Sequence, residues 1–459
     1  MADQKIVARF SEKGIRFVRI AFVDPSNLVR IRIIPIAKFL KCINSDARGF
    51  CMANAVLGMM VHVDQFPAGL PPAISCRGEV CMVPDVSSGI DNLCRLPYGS
   101  GAHALCMVDL EEKDNPGVPF DGCARSSLKK ILRTATDEFG VSFLVGFEIE
   151  VFFLENSLDT ITPIDCTTYA SSVALRPERT AKMIDEIAQS ISDQGIEILH
   201  FHAESGPGQF EFVTDPYDPL TAADNLVRTR ETIYNIAAKY GIKATLAPKV
   251  FADYAGTGAH CNISIDKFPK QNVTNTGPNA PKGINSFEES FLAGILKHLS
   301  SICAFTLPNV TSYSRTQEHC WAGCYVCWGI DNREATVRLA YIPGVNRKYR
   351  FEAKNVDGTS NPYLAVSAII VAGLDGIRRK LHLEQKQVTG NPNPLELKRL
   401  PRSIEEALSS LEEPTEYELF CKGMNKTLVD LFIAVRKGEV KHVQQLNDEE
   451  QLKFAIKHF

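Results

Sequence analysis

The sequence has no apolar run long enough to cross a bilayer. The longest, Leu364 to Leu374, falls well short of the about 20 residues that a membrane helix needs. The first residues, Met1-Ala2-Asp3-Gln4-Lys5, open no secretory hydrophobic stretch. An excess of one charge is also missing: 50 Lys and Arg stand against 54 Asp and Glu, for a net charge of -4 and a pI near 6.2. That balance gives no general attraction to nucleic acid or anionic membrane, and the short cluster Arg378-Arg379-Lys380 reads as the solvated end of an apolar helix. No Gly-x-x-x-x-Gly-Lys-Ser/Thr segment occurs, which excludes a P-loop cradle for nucleotide phosphates. Repeats and low-complexity tracts are absent too. The 14 cysteines lack the density of a small disulfide framework and fit reduced, mostly buried thiols. Cys320, Cys324 and Cys327, beside His319, have zinc-like spacing, but Trp321, Trp328 and the strand pattern that follows already explain the segment as packing. Together these absences predict a cytoplasmic protein without nucleic-acid or membrane partners.

What the chain does have is paired carboxylates. In Gly146-Phe147-Glu148-Ile149-Glu150-Val151-Phe152-Phe153 an extended backbone puts Glu148 and Glu150 on one face and Phe147, Ile149 and Val151 on the other. Two like charges about 7 Å apart on an apolar strand repel one another and lose hydration, and a divalent cation between them relieves both penalties. The segment His202-Ala203-Glu204-Ser205-Gly206-Pro207-Gly208-Gln209-Phe210-Glu211-Phe212 repeats the device, with a Gly-Pro-Gly turn able to fold Glu204 and Glu211 toward a common point. At period two His260, Asn262 and Ser264 share a face, as do Arg350, Glu352 and Lys354. Five carboxylates and one imidazole make a hard, oxygen-rich site for two or more Mg²⁺ or Mn²⁺ ions, and such a site handles phosphate.

Length suggests two or three domains. Ile15 to Pro35 alternates around Asp24-Pro25-Ser26-Asn27 and reads as a hairpin with Arg30 and Arg32 on one face. Strand patterns recur at 78–83 and 104–109, and the charged, turn-rich stretch Glu111 to Pro119 predicts a domain boundary. Helical spacing covers 127–138, 180–194, 222–240 and 286–305, and 415–459 reads as a helical tail. The polar stretch 266–286 is expected as a long loop over the site or at a subunit edge. Alternation of helices and strands leaves a parallel α/β sheet open.

The order of the motifs resembles the glutamine synthetase family. The fragments are Glu148-Ile149-Glu150, Glu204 to Glu211, Gly256-Thr257-Gly258-Ala259-His260-Cys261-Asn262-Ile263-Ser264, Ser312-Tyr313-Ser314-Arg315, Asn332-Arg333-Glu334-Ala335-Thr336-Val337-Arg338, and Glu352 followed by Asn361-Pro362-Tyr363. Cys320-Trp321-Ala322-Gly323, Cys327-Trp328-Gly329 and Phe351-Glu352-Ala353-Lys354 look most like the synthetase-like domain of fungal FluG and plant nodulin/glutamine synthetase-like proteins, here expected without their amidohydrolase-like half. The resemblance implies an α+β fold with a β-grasp N-terminal domain over 1–115. A catalytic domain over 116–459 follows, whose curved, mainly antiparallel sheet forms an open barrel flanked by helices. It also implies an ATP-dependent ligase that joins glutamate to ammonia or an organic amine through γ-glutamyl phosphate, in a ring-shaped homo-oligomer with sites shared between subunits. One metal is expected at Glu150, Glu204 and Glu211, and another at Glu148, His260 and Glu352. Arg333 and Arg338 are expected to hold the transferring phosphoryl, Arg315 and Gly256 the amino-acid substrate, and Ser264, Asn262, Arg347 and Arg350 the nucleotide.

The departures fall on the acceptor side. Ala255 stands where the family commonly has a substrate-binding asparagine, and Trp321 where it has a glutamate that shields the intermediate and deprotonates ammonium. Lys354 replaces an arginine on the substrate side, Asn262 replaces a histidine, and Met59 to Gln65 lacks the usual Phe-Asp-Gly-Ser-Ser. The stretch 391–394 lacks the tyrosine that bacterial members adenylylate. Activation machinery thus reads as intact and the acceptor site as altered. A non-catalytic assembly or signalling relative is the alternative, and a phosphagen-type guanidino kinase on the same barrel fits the motifs less well.

Overall fold

The structure is a computed structural model that describes residues 8, 10–45, 48–86, 94–95, 103–157, 160–166, 168–172, 176–269, 276–341, 349–393 and 396–459. Two sheets organise it. The first contains β1 (Phe17–Val23), β2 (Val29–Pro35), β3 (Phe50–Ala53), β4 (Glu79–Pro84), β5 (Cys94–Arg95) and β6 (His103–Glu112), in the order β2-β1-β6-β4-β3 with β5 beside β6. The expected hairpin forms from Phe17 opposite Pro35 to Val23 opposite Val29. Its turn is held by Asp24, whose carboxylate accepts from Leu28 N–H at 2.9 Å and pairs with Arg30 at 2.6 Å, while Asn27 takes the left-handed conformation that asparagine tolerates.

The second sheet contains β7 (Ser142–Glu155), β8 (Ile198–Ala203), β9 (Gln209–Thr214), β10 (Ile242–Thr245), β11 (Ala259–Lys267), β12 (Trp328–Ile330), β13 (Val337–Tyr341) and β14 (Tyr349–Ala353). Their order is β12-β13-β14-β11-β7-β9-β8, with β10 also on β7. Every pairing is antiparallel except β12 with β13. The curled half-barrel implied by the motifs is therefore the observed sheet, and the parallel alternative is not. Period two divides it. Phe147, Ile149, Val151, Phe210, Phe212, Cys261, Ile263, Leu339 and Phe351 enter one buried cluster with residues of the helices Pro219–Lys239, Ser286–Thr306 and Pro362–Arg379. The opposite face carries the polar side chains.

Local signals place these helices. Asn285 and Glu288 form a capping box at Ser286, and Asn361 accepts from the N–H groups of Tyr363 and Leu364 with Pro362 in the first turn. Both helices are buried nearly all round, as core helices without a polar stripe must be. They approach closely because a Cβ on Gly376 would lie 2.0 Å from the Ser290 carbonyl oxygen and one on Gly294 2.3 Å from that of Ala372. Buried polar groups tie the β1–β2 turn to the helices and to the loop after β14. The Asn361 side-chain amide also donates to the Val23 and Asp24 carbonyls, Asn27 and Arg230 both donate to the Gly358 carbonyl, and Glu439 accepts from Ser26 and from Val61 N–H. Leu431 and Val435 of the helix Lys426–Val443 complete the core of the first sheet. The predicted helical tail is three helices, Pro414–Met424, Lys426–Val443 and Asp448–His458. No described helix is long and apolar enough to cross a membrane.

A third buried group ties the helices together. His298 sits between Glu416, 2.8 Å from Nδ1, and Asp375, 3.0 Å from Nε2. Burial opposes the imidazolium, but the two carboxylates outweigh it and raise the His298 pKa; burial also opposes each carboxylate, yet His298 holds both below their usual range. The raised histidine stabilises the fold fully below its unfolded value of 6.5 and loses that contribution as pH climbs through its folded pKa. The depressed acids stabilise above their unfolded 3.8 and 4.5 and lose that contribution as pH falls through their folded values. The triad is thus strongest near pH 5–6. His298→Ala should cost about 3 kcal/mol at pH 6. Urea midpoints at pH 6 and 8.5 should then lie closer together in the variant than in the parent, and an unchanged gap would refute the assignment.

Candidate active site

Cross-strand pairing carries a polar row across the second sheet, because residues opposite one another in a ladder face the same side. Arg338 lies opposite Glu352, Glu352 opposite Asn262, His260 opposite Glu148, Glu150 opposite Glu211, Glu211 opposite His202 and Val213 opposite His200. Nine polar side chains from six strands thereby reach one concave surface without any loop having to hold them.

Ligand atoms of Glu148, His260 and Glu352 all lie within 4.8 Å of one another. His260 Nδ1 is 3.4 Å from both Glu148 Oε2 and Glu352 Oε1, and Arg315 reaches its Nε2 at 3.2 Å. Burial, with Lys354 nearby, pushes the His260 pKa down to about 4, so the ring is the neutral form that binds metals. Glu148 is buried, which favours its acid form, but hydrogen bonding from His260 and from the Asn262 amide, 3.0 Å away, holds it well below the usual carboxylate range. Glu352 pairs with Arg338 at 2.7 Å and with Lys354 at 3.3 Å.

Glu150 and Glu211 stand side by side, with Glu204 beyond the end of β8 in the turn to β9. Gln209 and Gly258 N–H donate to Glu150 at 3.0 and 2.9 Å, and Gln209 also donates to the Gly256 carbonyl. Burial, then Glu211 and Glu204, pushes the Glu150 pKa up to about 8. Glu211 is raised by burial as well, His202 pulling the other way. Glu150 and Glu211, both held toward the acid form, are short of positive charge, which a divalent ion would supply. Among the described residues, however, Glu211 also groups closely with His200 and His202, which the motif reading passed over. Their signal was present as the alternation Leu199-His200-Phe201-His202. Gln209, inside the Glu204 to Glu211 motif, orients Glu150.

The remaining site residues are less uniform. Gly256 and Gly258 are required by close approach: a Cβ at the first would lie 2.5 Å from Arg315 Cβ, and at the second 2.4 Å from His260 Nε2. Arg315 is buried, donates to the Lys354 carbonyl at 3.0 Å and lies behind His260. Arg333 is exposed in the turn between β12 and β13, where Asn332 bonds to the carbonyls of Val388 and Gly390. Ser264 and Arg350 are half-buried on the polar face, the latter within electrostatic reach of His200. Trp321 is 58% exposed, with φ of +58°. Arg347 lies outside the described residues. Cys324 and Cys327 are buried in an apolar cluster with Tyr325 and Ala335.

Comparison with known proteins gives the same direction throughout. Residues 121–454 match the family model described as glutamine synthetase, catalytic domain. Protein fluG of Emericella nidulans is 31% identical over 98% of this chain, and the chain spans about half, 49%, of that protein's length. Type-1 glutamine synthetase 1 of Dictyostelium discoideum is 28% identical over 97% of this chain and 90% of its own. Gamma-glutamylpolyamine synthetase GlnA3 of Streptomyces coelicolor is 28% identical over 95% and 92%. A crystal structure of a novel glutamine synthase homolog shares the fold at a TM-score of 0.81 and 24% identity, covering 97% of this chain and 99% of that one. GmaS in complex with ADP does so at 0.79 and 24%, covering 97% and 98%.

Two groups of carboxylates make a direct expectation. Glu148→Gln, Glu211→Gln and His260→Ala should each weaken Mn²⁺ binding at least about 10-fold, since each removes a ligand and leaves its neighbours under-neutralised. Calorimetric titration checks this, and three unchanged isotherms would remove the metal reading.

Proposed function

Because this chain belongs to the glutamine synthetase family, we propose that it is an ATP-dependent carboxylate–amine ligase acting on glutamate through an acyl phosphate. The observation that carries this reading is the continuous polar row from Arg338 to Glu211 on one face of the half-barrel. Glu148, His260 and Glu352 would hold one Mg²⁺ or Mn²⁺ and Glu150, Glu204 and Glu211 another. When bound, such ions neutralise nucleotide phosphates, the task that the missing P-loop leaves undone. Arg338, paired with Glu352, and the exposed Arg333 suit a planar fork closing on the phosphoryl oxygens. The Asn262 amide, donating to Glu148, keeps that carboxylate ionised and aimed at its partners. Ser264 and Arg350 lie farther along the same face and take the nucleotide side together with Arg347.

The acceptor is proposed to be an organic amine. Ammonium is small and strongly hydrated, so its capture and deprotonation call for fixed anionic oxygens. Trp321 offers an exposed indole, which attracts a cation more weakly and packs on a carbon chain. Buried Arg315 and Lys354, engaged with His260, the peptide backbone and Glu352, favour a second reading in which the chain keeps the fold without turnover. We further take residues 1–115 and 116–459 as two units, supported by a first sheet that ends at Glu112 and a second that begins at Ser142. Subunits are expected to share sites in a ring.

With ATP, Mg²⁺ and glutamate, ADP release should depend on an organic amine, and ammonium should be a poor substitute. Trp321→Glu should raise the ammonium-dependent rate several-fold. Efficient glutamine formation from ammonium with every amine ignored would reverse the acceptor assignment. No ADP with any nitrogen donor would favour the non-catalytic reading.

A further inference from the structure

The far edge of the polar face holds two histidines that the motif order leaves unassigned, beside Glu211. His200 and His202 stand two residues apart on β8, with rings stacked at 5.5 Å between centroids and 12° between planes. Across the ladder His202 faces Glu211 and His200 faces Val213, so both imidazoles lie on the same side as Glu211. One ring nitrogen from each histidine and one Glu211 oxygen all lie within 4.8 Å of one another.

The two nitrogens of His202 have different surroundings. Nδ1 lies 3.1 Å from the Ala203 carbonyl oxygen, and Nε2 lies 3.3 Å from Glu211 Oε1. A carbonyl oxygen only accepts, so Nδ1 donates to Ala203, and Nε2 is the nitrogen turned toward the Glu211 carboxylate. A backbone carbonyl on the far nitrogen is also the arrangement that orients ligating histidines elsewhere. Tyr169 packs edge-on against the His202 ring, 5.2 Å between centroids, and limits its rotation.

We propose that His200, His202 and Glu211 form a further, imidazole-rich metal site that takes a borderline transition ion such as Zn²⁺ in preference to Mg²⁺. Two imidazoles and one carboxylate suit Zn²⁺ and leave room for solvent, whereas Mg²⁺ favours oxygen ligands. His200 is exposed, so the ion exchanges with solvent from this side. Glu211 has a second oxygen, through which the site adjoins the oxygen-rich group around Glu150. The assignment stands independently of the ligase reading, because it concerns binding alone.

Calorimetric Zn²⁺ titration in saturating Mg²⁺ tests it, using the full chain, His200→Ala, His202→Ala and His260→Ala, with Co²⁺ d–d absorption as a second readout of imidazole ligation. One Zn²⁺ equivalent should bind the parent and His260→Ala. Its affinity should fall at least 10-fold in His200→Ala and in His202→Ala, whose unchanged Mg²⁺ binding and circular dichroism would establish that they fold. Displacement of Zn²⁺ by Mg²⁺, unaltered binding in His200→Ala, or loss in His260→Ala alone would each overturn the site. The last result would place the ion at the Glu148 cluster. Failure of the parent to bind Zn²⁺ at all would leave His202 and Glu211 as an ordinary ion pair and equally end the proposal.

Discussion

Too many carboxylates share one face of one sheet, and the rest of the site is arranged around that fact. Glu150 and Glu211 are opposed across a ladder, and Glu148 stands two residues from Glu150 and opposite His260. Protein cations answer only part of this charge. Arg338 and Lys354 serve Glu352, whereas Glu148 and Glu150 accept hydrogen bonds from neutral donors, and Glu150 is driven toward its acid form. A fold that needed no added cation would gain stability by replacing such a group with an apolar one. Its retention points to divalent ions and, through them, to phosphate.

The half-barrel makes the crowding possible. Its reverse face is a continuous apolar layer on three helices, so the strands are held by packing that is indifferent to what the polar face carries. Glycines at 256 and 258 let Arg315 press against His260 from behind, and Gln209 reaches from the β8–β9 hairpin to both Glu150 and the Gly256 carbonyl. Positions on strands and tight turns hold ligands more firmly than long loops do. The Asn361 side chain, meanwhile, caps a core helix and grips the β1–β2 turn, which couples the first sheet to the second.

Period two made much of this legible. The alternation around Glu148 and Glu150, and that of His260 with Asn262, assigned each side chain to a face, and the ladders bear the assignments out. Helix positions followed from spacing and caps, with ends moved by a few residues: the predicted start at 222 becomes Pro219, where Asp218 supplies the cap. Strand order was not legible from alternation, since helices between strands suit parallel and antiparallel sheets alike, and only the motif order pointed to the half-barrel. His200 and His202 belong to none of the family motifs, and only the register of the β8–β9 ladder makes His202, rather than Glu204, the cross-strand partner of Glu211. The depth of Arg315 was equally invisible, since a sequence shows that an arginine is present but not whether its guanidinium faces solvent or a histidine.

The central claim is that divalent ions sit on this polar face and hold a nucleotide there. Anomalous diffraction from crystals grown with Mn²⁺ and ADP measures it most directly. The account expects one peak among Glu148, His260 and Glu352 and another among Glu150, Glu204 and Glu211, with ADP phosphates between them and Arg338. Nucleotide bound elsewhere, or a polar face carrying no anomalous peak at saturating Mn²⁺, would contradict it.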